Sequence, residues 1–189
     1  PASYQKLFTD KLFTYFFEPI SKGYDFLVPD PIQGSLNNFF PNVKTPGRFF
    51  NSLFQGKFKK SGVEARRFLV NTTFGLGGFF DPAKAALKLE VQDEDTDQTL
   101  GYHGMGAGNY LVLPILGPTT ARGLLGHIGD AALNPMVWLS IYKVEDQNAI
   151  MGAHVLYHTN NFSNNIRDTY KDLRDSAIDP YISIRHAYM

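Results

Sequence analysis

The chain has 189 residues, 18 Lys plus Arg balanced by 18 Asp plus Glu, and no cysteine, which is enough for one domain with a core and too little for two. Even charge excludes the electrostatic footprint of a protein that binds phosphate backbones, so nucleic acid is not an expected partner. Zero cysteines exclude disulfides within the chain.

Phenylalanine is unevenly spread: 15 of the 16 copies fall between Phe8 and Phe80, and only Phe162 lies beyond. The first part of the chain is therefore built differently from the rest, either around a crowded aromatic core or with an apolar surface turned to lipid. No stretch approaches the roughly 20 apolar residues of a spanning helix. Attachment to a membrane would be interfacial or through a covalent anchor.

In chain order, Tyr4, Leu7, Phe8, Leu12, Tyr15 and Phe16 have helical spacing, and Pro19 is expected to end that helix. Ile32, Leu36, Phe39 and Phe40 repeat the pattern after Asp30-Pro31, with Pro41 as the expected stop. Phe49, Phe50, Leu53 and Phe54 repeat it before Gly56. Ser61 to Glu64 has capping-box spacing ahead of a helix from Val63 to Phe74, which Gly75 should close. Asp81-Pro82 reads as a cap and first position of a short helix through Leu89, and the acidic stretch from Glu90 to Asp97 as a solvated loop. Gly101, Gly104, Gly106 and Gly108 lead into Tyr110 to Leu113, which reads as a hairpin or an extended excursion around residues 101 to 113. Helices are expected from Pro118 to His127, Asn134-Pro135 to Tyr142, Glu145 to His158, Asn165 to Arg174 and Asp179-Pro180 to Tyr188. The predicted class is mainly α, a single domain over residues 1–189.

Catalytic and cofactor signals are weak. Gly104 to Gly108 and Gly75 to Gly78 lack the apolar strand before and the helix after that a dinucleotide loop requires. Asp93, Asp95 and Asp97 have calcium-loop spacing, but Gln98 and Gly104 stand where glycine and glutamate are needed. His154 and His158 are four apart on one helix face without a zincin glutamate or an evident third ligand. There is no Gly-x-Ser-x-Gly elbow and no thiol, and His103, His127 and His186 have no triad neighbours. The expectation is a protein that is not an enzyme, with no catalytic residue, metal or cofactor.

Three segments carry a resemblance. Arg67-Phe68-Leu69-Val70-Asn71-Thr72-Thr73-Phe74-Gly75-Leu76-Gly77-Gly78-Phe79-Phe80-Asp81 is similar to R-F-x-x-N-T-x-x-G-x-G-G-x-x-D of the MlaA/VacJ family of outer-membrane phospholipid-transport lipoproteins. Gln98 to Gly101 continues through Gly104, Gly106 and Gly108 to Tyr110-Leu111-Val112-Leu113-Pro114. It then reaches Gly117-Pro118-Thr119-Thr120-Ala121-Arg122, Gly126 and Asp130, resembling that family's glycine hairpin and Y-L-V-L-P course. Asp179-Pro180-Tyr181-Ile182 with Arg185, Ala187 and Tyr188 resembles its closing segment. Gly123, Asn109 and Thr96-Asp97 depart from the family pattern, which puts local loop structure in question.

The resemblance implies a ring or disc of amphipathic helices in the inner leaflet of the outer membrane of a Gram-negative bacterium, with one short Gly-rich hairpin and a central amphipathic channel. It implies a lipid anchor on a cysteine upstream of Pro1, a trimeric porin as partner, and phospholipid passed from the outer leaflet to a periplasmic lipid carrier. Helices that are apolar outward and polar inward would fit the abundant Phe. On this reading Gly104, Gly106, Gly108 and Tyr110 form a gating hairpin, or only a tight turn. Asn71 and Thr72 line the channel, or bridge helices. Arg122, Asp130, Asp179 and Arg185 pair with opposite charges, or Arg122 and Arg185 contact lipid phosphate. Arg67, Gly75, Gly77, Gly78, Asp81, Pro114, Asp130, Asp179 and Pro180 are structural signposts. The competing expectation is a soluble periplasmic lipid-binding or adaptor protein without a channel.

Overall fold

The computed structural model describes Lys11 and residues 13–113, 117–142 and 147–166. Pro114, Asp179, Pro180 and Arg185, and the helices expected at the C-terminal end, lie outside the described residues, as does Phe8. A π-helical turn at Phe13–Phe17 runs into α1, Glu18–Leu27. Then follow α2 (Asp30–Val43), α3 (Thr45–Phe54), α4 (Phe58–Phe74), α5 (Pro82–Leu87) and α6 (Thr96–Tyr102). A two-stranded ribbon, β1 (Tyr110–Leu113) and β2 (Gly117–Thr120), leads to α7 (Ala121–Ala132), α8 (Pro135–Ile141) and α9 (Gln147–Asn161), which ends in a second π-helical turn at Phe162–Ile166. The class is mainly α, as the sequence predicts.

Local chemistry sets several of these ends. Asp81 accepts from the Lys84 backbone N–H at 2.9 Å and caps α5, with Pro82 in the first turn. Asn134 caps α8 and Thr120 caps α7 in the same way. Gly75 follows the last residue of α4.

Other boundaries move because packing overrides local signals. The chain stays helical through Pro19, which falls in the first turn of α1, where the winding changes from π to α. Pro41 lies inside α2, whose last turn closes through Lys44 N–H to the Phe40 carbonyl at 3.1 Å while Phe40 and Asn42 are buried. Ser61 caps nothing: α4 begins three residues earlier, and Ser61 sits buried on its inner face. The acidic stretch is not a solvated loop, since Glu94 is buried and Asp95 caps α6. The hairpin lies at Tyr110–Thr120, not over residues 101–113, pairing Tyr110 with Thr120 and Leu113 with Gly117. Residues from Gly117 to Thr120 are strand and not helix; Pro118 is tolerated because each strand of a two-stranded ribbon is an edge.

Helix α4 packs on α3 and α5, α6 on α7, and α9 against α1, α2 and α8. The α6–α7 contact is close because Gly126 and Gly129 present no side chain; a Cβ on either would come within 3 Å of Asp97 or Thr96. No helix among the described residues is long and apolar enough to cross a membrane.

Candidate functional site: a polar interior inside an apolar shell

The helices are turned inside out relative to a water-soluble bundle. Among the described residues only four apolar side chains are buried (Tyr24, Leu36, Phe40 and Ala83), against seventeen polar or charged ones, while twenty-seven large apolar side chains are exposed. That ratio inverts the ordinary distribution and calls for an explanation by the surroundings of the chain. Helix α4 illustrates how the sequence does it. Ser61, Glu64, Arg67 and Asn71 recur at helical spacing and are all buried, whereas Phe58, Leu69 and Phe74 face outward at 70%, 63% and 75% exposure. The same holds along α3, where Thr45, Asn51 and Ser52 are buried and Phe50 and Phe54 are exposed.

Buried polar groups need partners, and three connected networks supply them. In the first, Arg48 Nε donates to Glu64 at 2.8 Å, and the Gln92 backbone N–H donates to the other Glu64 oxygen at 2.7 Å. Lys57 and Lys60 both donate to Glu94, at 2.8 and 2.5 Å. Burial alone would raise the Glu94 carboxyl, but the hydrogen bonds and charges of the two lysines outweigh it and hold the group below its usual range.

In the second, Arg67 donates to Asp81 at 2.7 Å and to the Leu89 carbonyl. Asn71 joins the same carboxylate at 3.0 Å and accepts from the Ala83 N–H at 3.0 Å. The Asp81 carboxyl is accordingly depressed: burial pushes it up, and Arg67, the Lys84 N–H and Asn71 more than reverse this. Asn42 closes this end of the interior with bonds to Thr72 Oγ1 and the Gly77 carbonyl, both at 3.2 Å. Gly78 has φ +104°, and a Cβ there would stand 2.5 Å from the Asn42 side chain.

The third network joins α3, α6 and α7. Thr99 Oγ1 donates to Asn51 at 2.8 Å, Asn51 donates to Asp130 at 3.3 Å, and Asp130 also takes the backbone N–H and hydroxyl of Thr96 at 2.9 and 2.7 Å. Arg122 pairs with Asp97 at 2.7 Å and also donates to the Met105 carbonyl at 3.0 Å.

The structure places several of these sequence-predicted residues. Arg122 is paired structurally, as is Arg67, whereas Asp130 is satisfied by Thr96 and Asn51 and by no cation among the described residues. Asn71 is buried in a bridge between α4 and α5; Thr72 is exposed on the same helix and accepts from Asn42. Gly104, Gly106 and Gly108 form a loop ahead of the hairpin, and of the glycine set with Tyr110 only Tyr110 lies in a strand. That loop is tied down by Arg122 N–H to the Ala107 carbonyl and Ala121 N–H to the Asn109 carbonyl, with Gly104 and Gly108 at φ +90° and +73°. Sequence reasoning missed Glu64, Glu94, Asn51, Thr99 and Asn160, all buried. For Glu64 the signal that could have found it is its helical spacing from Ser61 and Asn71, which makes a polar stripe on α4. His154 and His158 do not build a metal cluster with a third ligand among the described residues.

Taken together, these features define a small helical protein with a lipid-like outer surface and a hydrogen-bonded polar interior. The family model described as "MlaA lipoprotein" matches residues 5–189, so the chain belongs to that family. It is 37% identical over 183 residues to the intermembrane phospholipid transport system lipoprotein MlaA of Haemophilus influenzae, covering 92% of this chain and 68% of that protein. The protein of the same description in Escherichia coli is 31% identical over 176 residues, covering 92% of this chain and 67% of that one. A solved structure described as the structural basis for maintenance of bacterial outer membrane lipid asymmetry superposes with a TM-score of 0.76 at 28% identity, covering 94% of this chain and 86% of that chain.

Proposed function

We propose that this chain is the phospholipid-transporting lipoprotein of a Gram-negative cell envelope, seated in the inner leaflet of the outer membrane. It takes misplaced phospholipid from the outer leaflet through an amphipathic passage and passes it to a periplasmic carrier, beside a trimeric porin. The observation that carries this reading is the inverted polarity. Phe58, Phe74 and Phe26 are 70%, 75% and 87% exposed while Glu64 and Ser52 are fully buried. A chain in water gains from the opposite arrangement, and one surrounded by acyl chains gains from this one. The names of the relatives, phospholipid transport and outer-membrane lipid asymmetry, agree with it.

The passage is proposed to run along the polar faces of α3, α4 and α9, with the glycine loop and hairpin from Gly104 to Thr120 at its edge. The chain is proposed to act without catalysis, because its sequence holds neither a cysteine nor a serine elbow. The test is complementation of a strain lacking its own family member. Restored outer-membrane lipid asymmetry, with the protein recovered in the outer-membrane fraction and requiring detergent for extraction, is the expected result. Recovery as a water-soluble periplasmic protein would favour the adaptor reading, and release of fatty acid from phospholipid by the purified protein would refute the non-catalytic one.

A further inference from the structure

The cations along the polar interior are each held by a carboxylate: Arg48 by Glu64, Lys57 and Lys60 by Glu94, Arg67 by Asp81, Arg122 by Asp97. Lys44 breaks the pattern. It stands half-buried at the single-residue joint between α2 and α3, flanked by buried Asn42 and Thr45, and no carboxylate among the described residues lies within ion-pair distance. Its ammonium donates to the Tyr157 hydroxyl and lies 4.3 Å from the centre of the same ring. Phe40 packs edge-on against Tyr157, and the His158 ring lies 4.9 Å from it on α9, with His154 one turn earlier.

Among the described residues, the surrounding elements supply no counter-charge. Helices α3, α8 and α9 contain no Asp or Glu, and the one carboxylate of α2, Asp30, stands at its first residue, about 20 Å along the axis from Lys44. On α1, Asp25 accepts from Ser163 and Glu18 pairs with Lys22. Arg48, four residues on from Lys44, is held by Glu64. Burial, then the charges of His154 and Lys44, disfavour the protonated form of His158. A half-buried cation without an anion is unfavourable until one is supplied. The ammonium, two imidazoles and a phenol hydroxyl are a donor-rich set of the kind that binds the oxygens of a phosphate. Exposed Met151 and Val155 on the same helix give acyl chains an apolar surface beside it.

We propose that Lys44, His154, Tyr157 and His158 form a binding site for a phosphate group, occupied by the phosphodiester of a phospholipid headgroup. The proposal rests on the lipid-transport reading above and assigns the headgroup contact within it.

The test uses the full lipoprotein in detergent micelles, with histidine ring resonances followed by NMR as dihexanoyl phosphatidylethanolamine, dihexanoylglycerol or inorganic phosphate is added. The phospholipid should shift the His154 and His158 signals and raise the pKa of His158, since an anion that prefers the protonated ring must be bound more tightly by it. Dihexanoylglycerol, lacking phosphate, should not. Inorganic phosphate acting as strongly as the phospholipid would reject the headgroup as occupant and leave a site for the free anion. Lys44→Gln should weaken the phospholipid about tenfold or more, the scale of one lost charge-assisted hydrogen bond, and Lys44→Arg should retain most of the binding, both with an unchanged melting temperature. If Lys44→Gln unfolds the protein, Tyr157→Phe together with His158→Gln replaces it, with the same loss expected. Phospholipid binding that is indifferent to these variants overturns the site while leaving the transport reading intact. Absence of any phospholipid binding to the wild type, in micelles and in complemented cells alike, overturns both.

Discussion

Replacing Asp81 by alanine tests whether the polar interior holds the fold together or merely occupies it. The carboxylate receives Arg67 at 2.7 Å, Asn71 at 3.0 Å and the Lys84 N–H at 2.9 Å, and Arg67 is only 4% exposed. Removing it leaves a buried guanidinium with the Leu89 carbonyl alone and α5 without its cap. Unpairing a buried charge costs about 3–5 kcal/mol and losing a cap about 1 kcal/mol. The two overlap, so a total of about 4 kcal/mol is expected. A domain of this size loses roughly 2–4 °C of melting temperature per kcal/mol, which puts Asp81→Ala about 10 °C below the wild type in a thermal melt in detergent. Asp81→Asn keeps the cap and should lose about half as much. Combining Arg67→Met with Asp81→Asn should recover part of the loss, because the stranded charge goes with it. A melting temperature for Asp81→Ala within about 2 °C of wild type, or strict additivity in the double variant, would refute the reasoning.

Three further outcomes are expected. The Glu94 carboxyl is depressed in the folded protein, so it contributes stability that is present above its unfolded pKa and lost as the pH falls through the folded one; acid melts of Glu94→Gln should lack that part of the wild-type decline, and parallel curves would exclude it. Gly78→Ala meets both a φ of +104° and Asn42 at 2.5 Å, whereas Gly77→Ala has φ +77° but open space, so Gly78→Ala should cost roughly 1–3 kcal/mol more by melting temperature, and equal losses would contradict the packing. Gly106 has no neighbour within 4 Å of a Cβ and no positive φ, so Gly106→Val should leave the melting temperature unchanged; altered outer-membrane permeability in cells complemented by this variant would support a gating loop, and unchanged permeability would count against it.

Much of the architecture was legible because short-range chemistry wrote it. Asp81-Pro82 and Asn134-Pro135 opened helices where an acceptor side chain met a proline, and the period of the Phe residues marked α2 and α3. The Phe count left both a crowded aromatic core and a lipid-facing surface open; in the fold Phe16, Phe50, Phe54 and Phe58 are exposed, Phe39 and Phe49 are intermediate, and Phe40 is buried. Periodicity shows that a helix has two faces and does not say which one turns inward.

That choice was made by tertiary contacts. Ser61 and Glu64 have the spacing of a capping box, and only the approach of Arg48 and the Gln92 N–H turns Glu64 into a buried anchor in mid-helix. Pro41 is a helix stop by its own chemistry, and burial of Phe40 and Asn42 on either side holds the last turn closed past it. The acid run from Glu90 to Asp97 reads as solvated until Lys57, Lys60 and Arg122, distant in the chain, arrive at Glu94 and Asp97. Composition, helical period, caps and the polarity of each stripe belong to the sequence, because they depend on residues within a turn or two of one another. The partner of each buried charge, and hence which stripe became the interior, is a long-range electrostatic match that only the folded chain brings together.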